Sequence, residues 1–356
     1  MDQELYKNIM FRDCNIDDPF FDTLKEDYPG FESWFKRKSD AGEKGYVSKN
    51  NLGKIRAFLY LKENECESVG SLPAINRMKI GTLKVDSEYE GQRLGEGAVG
   101  LALWKWQASP NNQVYVTVFP KHEDTIGILM KYGFKHETEK DNGEYVFIKD
   151  KRDLQYDIYG FSSFPYLNPD FRGGKYIPIE AVYHDQMFPY STLMHTNQES
   201  DYTSVSNGIV KSYIATPNGT ILYRPGDIAL IYRISPDPPK SLKSVVTSFC
   251  TISTVTWVRN DYEIKISYEE FVKKIGNKTV YTNEKLKEVY NKRNVLIIEL
   301  INNGYLGAGN NVNYNWLKSM GLFEDHPYEV KLTHDDVLKI LKEGGKNEND
   351  IIINKS

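Results

Sequence analysis

A glycine-rich segment, Gly91-Gln92-Arg93-Leu94-Gly95-Glu96-Gly97-Ala98, is the part of this sequence whose residue types most directly suggest chemistry. It lies between a predicted strand over residues 77–85 and a predicted helix over residues 94–108. A glycine-rich turn that opens a helix presents backbone N–H groups beside the positive end of the helix dipole. Such an arrangement binds anions, most often phosphates. The segment therefore predicts a phosphate-binding loop.

Three phosphate-loop patterns compete for this segment. The Walker pattern is excluded, because no Lys-Ser or Lys-Thr pair closes the loop. The dinucleotide pattern GxGxxG is matched by Gly95, Gly97 and Gly100. However, residues 86–94 separate it from the strand, and the next strand ends without the expected acidic residue. The third pattern, Gln/Arg-x-x-Gly-x-Gly/Ala, is met by Gln92 together with Gly95 and Gly97.

The neighbourhood of the loop decides between these patterns. The predicted order is strand 77–85, loop 86–93, helix 94–108, strand 114–119, helix 121–132, a Gly133-Phe134 turn and a final strand 144–149. In this order and with the third loop pattern, residues 1–150 resemble the GNAT superfamily of N-acetyltransferases. The resemblance implies an α+β domain with a mixed sheet and splayed central strands.

The resemblance also implies acetyl-CoA as the acyl donor, without a metal. The pantetheine arm is expected on the backbone of Leu83, Lys84 and Val85. The pyrophosphate is expected on the loop and the helix start, at Gln92, Arg93, Leu94, Gly95, Glu96, Gly97 and Ala98. Arg93 is expected to add positive charge. Since a carboxylate would repel the pyrophosphate, we expect Glu96 to point away and to pair locally.

The general base and acid are less well defined by the sequence. GNAT domains often carry a tyrosine four residues before the glycine of the Gly-Phe turn, and a gapless match puts Leu129 there. Tyr132 lies three residues further on and is one candidate, with packing at the turn as the alternative. His122 follows the strand 114–119 and is a second candidate proton relay, with a surface helix start as the alternative. Catalysis by positioning alone stays open.

An aromatic segment, residues 18–35, precedes the first of these strands. In the GNAT fold this region walls the acceptor site, whereas core packing of two helices is the simpler interpretation. Its acidic residues make a cationic acceptor plausible. These are Asp18, Asp22, Glu26 and Asp27.

The second half of the chain has a different pattern. A first domain over 1–152 is predicted to be followed by a Gly/Pro/Tyr-rich connector over 153–178, a second domain over 179–345 and a polar tail over 346–356. Short strands are predicted at 209–214, 220–223, 227–233, 245–258 and 295–301, and helices at 268–275, 283–291 and 333–343. This mixture favours a small, partly open β-barrel.

The turn Pro225-Gly226-Asp227 introduces one of these strands, and a segment His184–Pro189 (HDQMFP) precedes them. With these motifs, residues from about 175 to 345 resemble a PUA/ASCH-type barrel. Such domains commonly bind RNA or modified bases, so the resemblance implies RNA or a modified nucleotide as a partner. Cations and aromatic rings suited to base stacking and phosphate contact give the predicted acceptor-binding set, with strand core as the alternative. The set is Lys211, Tyr213, Tyr232, Arg233 and Trp257.

Composition excludes several classes of protein. The chain has 356 residues, 26% of them charged, and a net charge of −4, so nonspecific nucleic-acid binding by phosphate neutralisation is not expected. Its three cysteines, Cys14, Cys66 and Cys250, are far apart, which argues against a disulfide framework and a zinc site. No apolar run approaches the roughly 20 residues that span a bilayer, and the N-terminus does not read as a secretory signal. We therefore expect a cytoplasmic protein.

The sequence thus predicts an acetyl-CoA-dependent N-acetyltransferase whose C-terminal domain helps to hold an amine acceptor. RNA, a nucleotide or an RNA-associated protein is the favoured acceptor. The alternative is a regulatory protein that senses acetyl-CoA or binds RNA without turnover. A dinucleotide-dependent oxidoreductase is the third option.

Overall fold

The fold is taken from a computed structural model, which describes residues 5–191, 193, 204–218, 223–324, 327 and 329–353. The chain divides into two compact units. The first consists of Met1–Met130 and Phe134–Asp150, and the second of Lys131–Gly133 and Lys151–Ser356. Whether the chain also forms separate domains with the boundary near residue 152 stays a prediction.

The first unit contains one sheet and four α-helices in its described part. The strands are β1 (Lys7–Met10), β2 (Lys44–Lys49), β3 (Ile55–Val69), β4 (Leu72–Val85), β5 (Gln113–Val118), β6 (Lys135–Glu139) and β7 (Tyr145–Asp150). The helices are α1 (Asp22–Asp27), α2 (Phe31–Asp40), α3 (Leu94–Ala108) and α4 (Glu123–Lys131), the last residue of which belongs to the second unit.

The strand order of this sheet is β1-β2-β3-β4-β5-β7-β6. Among the described residues, β4 and β5 form the one parallel pair, and every other neighbouring pair is antiparallel. The predicted α+β class with a mixed sheet is therefore confirmed. A dinucleotide fold would need a mostly parallel sheet, so the GxGxxG match has the wrong context.

The aromatic segment 18–35 supplies core as well as wall. Phe21, Phe31 and Phe35 are buried in one cluster with Phe11 and Phe58, in which neighbouring ring centroids are 4.9–6.1 Å apart. Two acids of this segment have local partners. Asp18 accepts a hydrogen bond from the Phe20 amide, and Asp22 pairs with Lys25. The core-packing interpretation holds for most of this segment.

The second unit contains the remaining elements. Its strands are β8 (Gly173–Glu180), β9 (Val210–Ala215), β10 (Ile228–Ile234), β11 (Val245–Asn260), β12 (Glu263–Ile264), β13 (Val295–Tyr305), β14 (Val312–Asn313) and β15 (Leu332–Thr333). Its helices are α5 (Ala181–Met187), α6 (Ser204–Asn207), α7 (Lys240–Lys243), α8 (Tyr268–Ile275), α9 (Asn283–Tyr290), α10 (Tyr314–Ser319), α11 (His334–Glu343) and α12 (Glu348–Ile351).

These strands form a single sheet in the order β15-β8-β10-β11-β13-β9, with β12 and β14 also paired to β11. Within the described ranges the two ends of this order do not pair, so the sheet is not closed and the PUA-like barrel is not confirmed. The predicted helices are confirmed, with side-chain caps from Ser267, Thr282 and Thr333. Most of the predicted strand 220–223 lies outside the described residues.

Two segments differ from the sequence prediction. The connector predicted over 153–178 is too long, because Gly173–Glu180 is a strand that pairs with β10. The tail predicted over 346–356 does not fray from residue 346. Ile351 and Ile352 are buried in the same core as Leu167 and Phe171, and the Leu167 amide donates to the Ile351 carbonyl.

Candidate functional site

The central strands of the first unit separate part-way along their length. β4 and β5 pair over Met78–Ile80 and Val114–Val116, but both strands continue beyond these residues. The separation begins at a β-bulge. Tyr60 pairs with Thr82 and Leu61 pairs with Ile80, which leaves Gly81 as the extra residue on β4. A wedge-shaped opening therefore lies between the carboxyl ends of β4 and β5.

The direction of the β4 backbone groups in this opening follows from the pairing with β3. Asp86 donates its amide to the Arg56 carbonyl at 2.9 Å, which continues the register of Ala57 with Val85. Hydrogen-bonded pairs alternate along an antiparallel ladder, so Lys84 directs its backbone groups to β3. Leu83 and Val85 direct theirs to the other side, into the opening.

This geometry divides the three predicted pantetheine contacts. Leu83 and Val85 present backbone donors and acceptors to the opening, and their contact with pantetheine stays a prediction. The backbone of Lys84 is turned to β3, and its ammonium contacts Thr23 and lies 5.1 Å from the centre of the Phe20 ring. The expectation for Lys84 is therefore corrected: its main chain faces away from the opening.

The N-terminus of α3 forms a second wall. Arg93 precedes the helix with a left-handed φ of 62°, and no side chain caps the helix start. The Gly97 amide makes a hydrogen bond to the Arg93 carbonyl at 3.0 Å, whereas the amides of Leu94 and Gly95 have no acceptor one turn earlier. A Cβ placed on Gly95 would lie 3.8 Å from Val85 Cγ2, so these amides start beside the end of β4.

The charged groups of the loop pair with each other. Arg93 Nε donates to Glu96 Oε2 at 2.8 Å, and both side chains are about 10% exposed. Glu96 thus pairs locally, as expected. The carboxylate of Glu96 partly neutralises the Arg93 guanidinium. The Nη1 atom of Arg93 is nevertheless buried and has no hydrogen-bond partner. An anion at the helix start would provide one.

The remaining members of the predicted phosphate loop contribute less. Gly97 and Ala98 are buried within the helix, and the Gly97 amide is already bonded. The Gln92 amide donates to the Tyr89 carbonyl at 3.2 Å. The main-chain donors that suit an anion are therefore those of Leu94 and Gly95.

Polar side chains gather where β5 ends, next to the opening. His122 Nε2 lies 3.6 Å from Asp27 Oδ2, and the His122 side chain is 40% exposed. Tyr28 packs on Phe119 with a centroid distance of 5.4 Å. Burial, the nearby charges of Glu144 and Asp27, and a hydrogen bond with Glu144 raise the pKa of Tyr28. Asp27 Oδ1 also pairs with the Lys121 ammonium at 2.5 Å, so this carboxylate lies between a lysine and a histidine just after the end of β5.

The other predicted proton carrier is placed differently. Tyr132 is fully buried and packs on Phe161 and Phe164, with centroid distances of 6.0 and 5.4 Å. It belongs to the second unit, and Leu129 one turn earlier is also fully buried. The packing alternative given for Tyr132 in the sequence analysis matches these contacts.

The structure does not bring the five predicted acceptor-binding residues into one pocket. Tyr232 packs on Tyr176 and Phe323 on one face of its sheet, whereas Arg233 faces the other side because successive strand residues alternate. Lys211 is 1% exposed and its ammonium donates to the Val205 and Ser206 carbonyls. These three positions are corrected from binding surface to buried packing.

Two members of the set stay partly accessible. Trp257 packs at the margin of the core that contains Ile298, and Tyr213 donates to the Pro178 carbonyl at 3.4 Å. Tyr213 also lines a cavity of about 360 Å³ together with Tyr183 and Tyr281.

Sequence reasoning missed the role of the HDQMFP segment. Arg233 makes a bidentate ion pair with Asp185 at 2.8 and 2.9 Å. His184 Nδ1 bonds Asp185 at 2.8 Å, and its Nε2 bonds Thr247 Oγ1 at 2.8 Å. His184 and Thr247 are fully buried. The adjacent His-Asp pair was the available signal, but its partners are 48 and 63 residues away in sequence.

No cluster of three or more His, Cys, Asp or Glu side chains suited to a metal ion is present in the part of the chain that the structure describes. Within the same residues, none of the helices has the length and apolar character needed to cross a membrane.

No protein-family model matches the chain, and no curated protein matches it. Solved structures do align with it. AtaTR bound with AcCoA is 15% identical, with 41% of this chain and 94% of that chain covered and a TM-score of 0.33. Ard1 from Thermoplasma volcanium is 14% identical, with 41% and 95% covered and a TM-score of 0.33. A GNAT-family acetyltransferase from Staphylococcus aureus MU50 is 14% identical, with 35% and 78% covered and a TM-score of 0.28. At such identities and TM-scores the likeness does not identify a function.

Proposed function

We propose that the first unit binds acetyl-CoA and transfers its acetyl group to the nitrogen of an amine. The observation that carries this proposal is the opening between β4 and β5, flanked by the uncapped start of α3. One wall offers strand-edge donors and acceptors and the other offers helix N-terminal amides. An extended chain of amides that ends in a pyrophosphate matches both walls at once.

The residues fit such a ligand. Leu83 and Val85 would pair with the amides of the pantetheine arm as a neighbouring strand does. The amides of Leu94 and Gly95 would hold the pyrophosphate, and the partnerless Arg93 Nη1 would gain an acceptor. The negative charge of Glu96 is offset by Arg93 and does not oppose binding.

Acetyl transfer needs three groups from the protein: a donor to the thioester oxygen, a base for the amine proton and a carboxylate that stabilises the protonated base. A backbone N–H on β4 would donate to the thioester oxygen and stabilise the charge that develops there. The amine nitrogen attacks the carbonyl carbon, a C–N bond forms, and the C–S bond breaks to release a thiolate that takes a proton from solvent. His122 would accept the amine proton, directly or through a water, and Asp27, which lies 3.6 Å away and also pairs with Lys121, would stabilise the protonated imidazole.

Gly95→Asp tests the binding site. A carboxylate at the helix start should oppose a phosphate and weaken CoA binding roughly 100-fold or more, because attraction is replaced by repulsion. Gly95→Ala is the matched control, since its Cβ would meet Ile128 and Val85 at ordinary contact distances of 3.6 and 3.8 Å. The measurement is calorimetric titration with CoA and, separately, with NAD. Binding of NAD without binding of CoA would refute the proposal.

Turnover is tested by mass spectrometry after incubation with acetyl-CoA and a panel of amines. An acetylated amine supports the enzyme. Tight CoA binding with no product from any amine would favour an acetyl-CoA-sensing protein, an alternative kept open by Leu129 at the position of the usual tyrosine. RNA, a nucleotide or an RNA-associated protein as the acceptor stays a prediction, for which Tyr213 and Trp257 are the residues of the predicted set that remain partly accessible.

A further inference from the structure

A small cavity lies between α2 and the strands β3 and β4. Its volume is about 170 Å³. Gly81, the bulged residue that follows the last β4–β5 pair, is part of its lining. The other lining residues are Trp34, Tyr60, Lys38, Lys62, Lys79 and Glu65. The cavity therefore adjoins the place where β4 and β5 begin to separate.

The charges of the lining are unequal. The lining residues include three lysines and one acid, Glu65, and the acids that pair with Lys38 and Lys79 lie outside the lining. Lys38 pairs with Glu43 at 3.2 Å, Lys79 pairs with Glu67 at 2.7 Å, and Lys62 pairs with Glu65. An ammonium has three N–H donors, so one carboxylate partner leaves each lysine able to bond a further acceptor. The lining suits an anionic group.

The aromatic residues define the rest of the cavity. Trp34 and Tyr60 meet edge to face at a centroid distance of 5.6 Å, and the Lys38 ammonium lies 5.0 Å from the centre of the Tyr60 ring. Tyr60 donates to Glu43 at 3.2 Å, which fixes both the ring and the carboxylate that holds Lys38. The rings give the cavity an apolar wall beside its cationic one.

From this geometry we infer that the acceptor is a small amine that also carries an acidic group, a carboxylate or a phosphate. The inference rests on the proposed acetyl transfer and names its substrate class. The acidic group would bond the lysines in the cavity, and the amine would reach the thioester carbon at the opening. This differs from the cationic acceptor that the acidic residues of segment 18–35 suggested, since Asp18 and Asp22 are engaged locally.

The test compares matched amines that differ only in the acidic group. L-phenylalanine is compared with L-phenylalaninamide, and phosphoethanolamine with ethanolamine, by calorimetry and by Trp fluorescence, with and without CoA. We expect the acidic member of at least one pair to bind about tenfold more tightly than its partner. The carboxylate pair and the phosphate pair distinguish the two sources of the anionic group.

Lys38→Gln and Lys79→Gln should remove most of this preference without changing CoA affinity. Lys36→Gln is the matched control, because Lys36 lies on the same helix but its side chain is 77% exposed and pairs with Asp40. The preference should persist in that variant. If acidic and neutral members bind equally, or if the preference survives both lysine variants, the inference is overturned. Loss of CoA binding with the preference intact would instead count against the proposed acetyl transfer.

Discussion

His122 and Asp27 form the one pair at the mouth of the opening that we assign to proton transfer. The His122 and Asp27 side chains are 3.6 Å apart and 40% and 21% exposed, so the imidazole is accessible from solvent. We expect His122→Ala to lower kcat about 100-fold with little change in the KM for acetyl-CoA, as removal of a general base does. Steady-state kinetics with the best amine from the panel measure both constants.

Asp27→Asn is the companion variant, and it should lower kcat less because the histidine remains. Tyr132→Phe is the control, since it keeps the ring that packs on Phe164 and should leave kcat unchanged. A His122→Ala enzyme with full kcat would return this residue to the surface-helix interpretation, and a solvent water would be the acceptor of the proton.

The buried His184 makes the stability of the second unit depend on pH. Burial lowers the pKa of His184, against the opposing effect of Asp185. Burial alone would raise the pKa of Asp185, but hydrogen bonds from Arg233 and His184 outweigh it and hold that pKa well below its usual range. Below about pH 6.5 the unfolded state therefore binds a proton that the folded state does not. Stability should fall as pH decreases through this value, whereas Asp185 acts only below about pH 4.

We expect urea unfolding of the second unit to lose up to about 1.4 kcal/mol between pH 7.5 and pH 5.5 through this histidine. His184→Gln should remove that increment. His334→Gln is the control, because His334 is partly exposed in the same unit. An unchanged pH dependence in the His184 variant would show that other groups carry it.

For single residues, the sequence suggested which side chains could bind a ligand but did not show which of them are buried or what they contact. Tyr232 and Arg233 were predicted to share a pocket, yet the two-residue alternation of a strand already requires opposite faces. By contrast, the pairing of Arg233 with Asp185 joins residues 48 positions apart, and no local pattern indicates it. Lys211 reads as a surface cation in sequence, but its ammonium bonds main-chain carbonyls in the interior.

The bulge at Gly81 is the feature of β4 that starts the opening. A Cβ on Gly81 would lie 2.7 Å from Cδ1 of Tyr60, whose ring is buried and cannot easily move. We expect Gly81→Ala to cost about 1–3 kcal/mol of folding stability through overpacking. Gly127→Ala is the matched control, since nothing lies within 4 Å of its Cβ. Thermal unfolding of both variants measures the difference, and equal melting temperatures would show that the bulge tolerates a side chain.

Elements with strong patterns were predictable, and those stabilised by distant partners were not. The helix that begins at Leu94 and the strand 245–258 follow from apolar spacing. β8 was taken for connector because Gly173, Gly174 and Pro178 resemble turn residues, and its pairing with β10 is visible only in the fold. The choice of Leu83 and Val85 over Lys84 depends on a ladder bond between Asp86 and Arg56, 30 positions apart in the printed sequence.

On the scale of the whole molecule, the division of the chain does not follow its sequence order. Lys131–Gly133 belong to the second unit, although the residues before and after them belong to the first. We expect Tyr132→Ala to destabilise the second unit by about 3–5 kcal/mol, because its buried ring is lost from the contacts with Phe161 and Phe164. CoA affinity should not change. Hydrogen exchange in each unit, with calorimetry for CoA, separates the two effects.

A protein in which Tyr132→Ala weakens CoA binding but leaves the second unit protected from exchange would restore Tyr132 as a site residue. The composition of the sequence does not change at Lys131–Gly133, so it gives no sign that these three residues belong to the second unit. The sequence predicted a boundary near residue 152 from the Gly/Pro/Tyr-rich segment, because turn-forming residues are the only local signal of a boundary that a single sequence gives there.

The sheet of the first unit has a short backbone ladder at its centre. In the described residues, this ladder between β4 and β5 consists of three registered pairs, Met78–Ile80 with Val114–Val116, and side chains such as Arg77 and Gln113 add further bonds between the halves. Beyond Ile80 and Val116, the facing edges of β4 and β5 are not paired with each other. A molecule bound there would act as a short strand between the carboxyl ends of β4 and β5 and extend the backbone pairing between the halves. The acyl donor would then also be a structural member, and its departure as CoA would loosen the sheet at the end of each catalytic cycle.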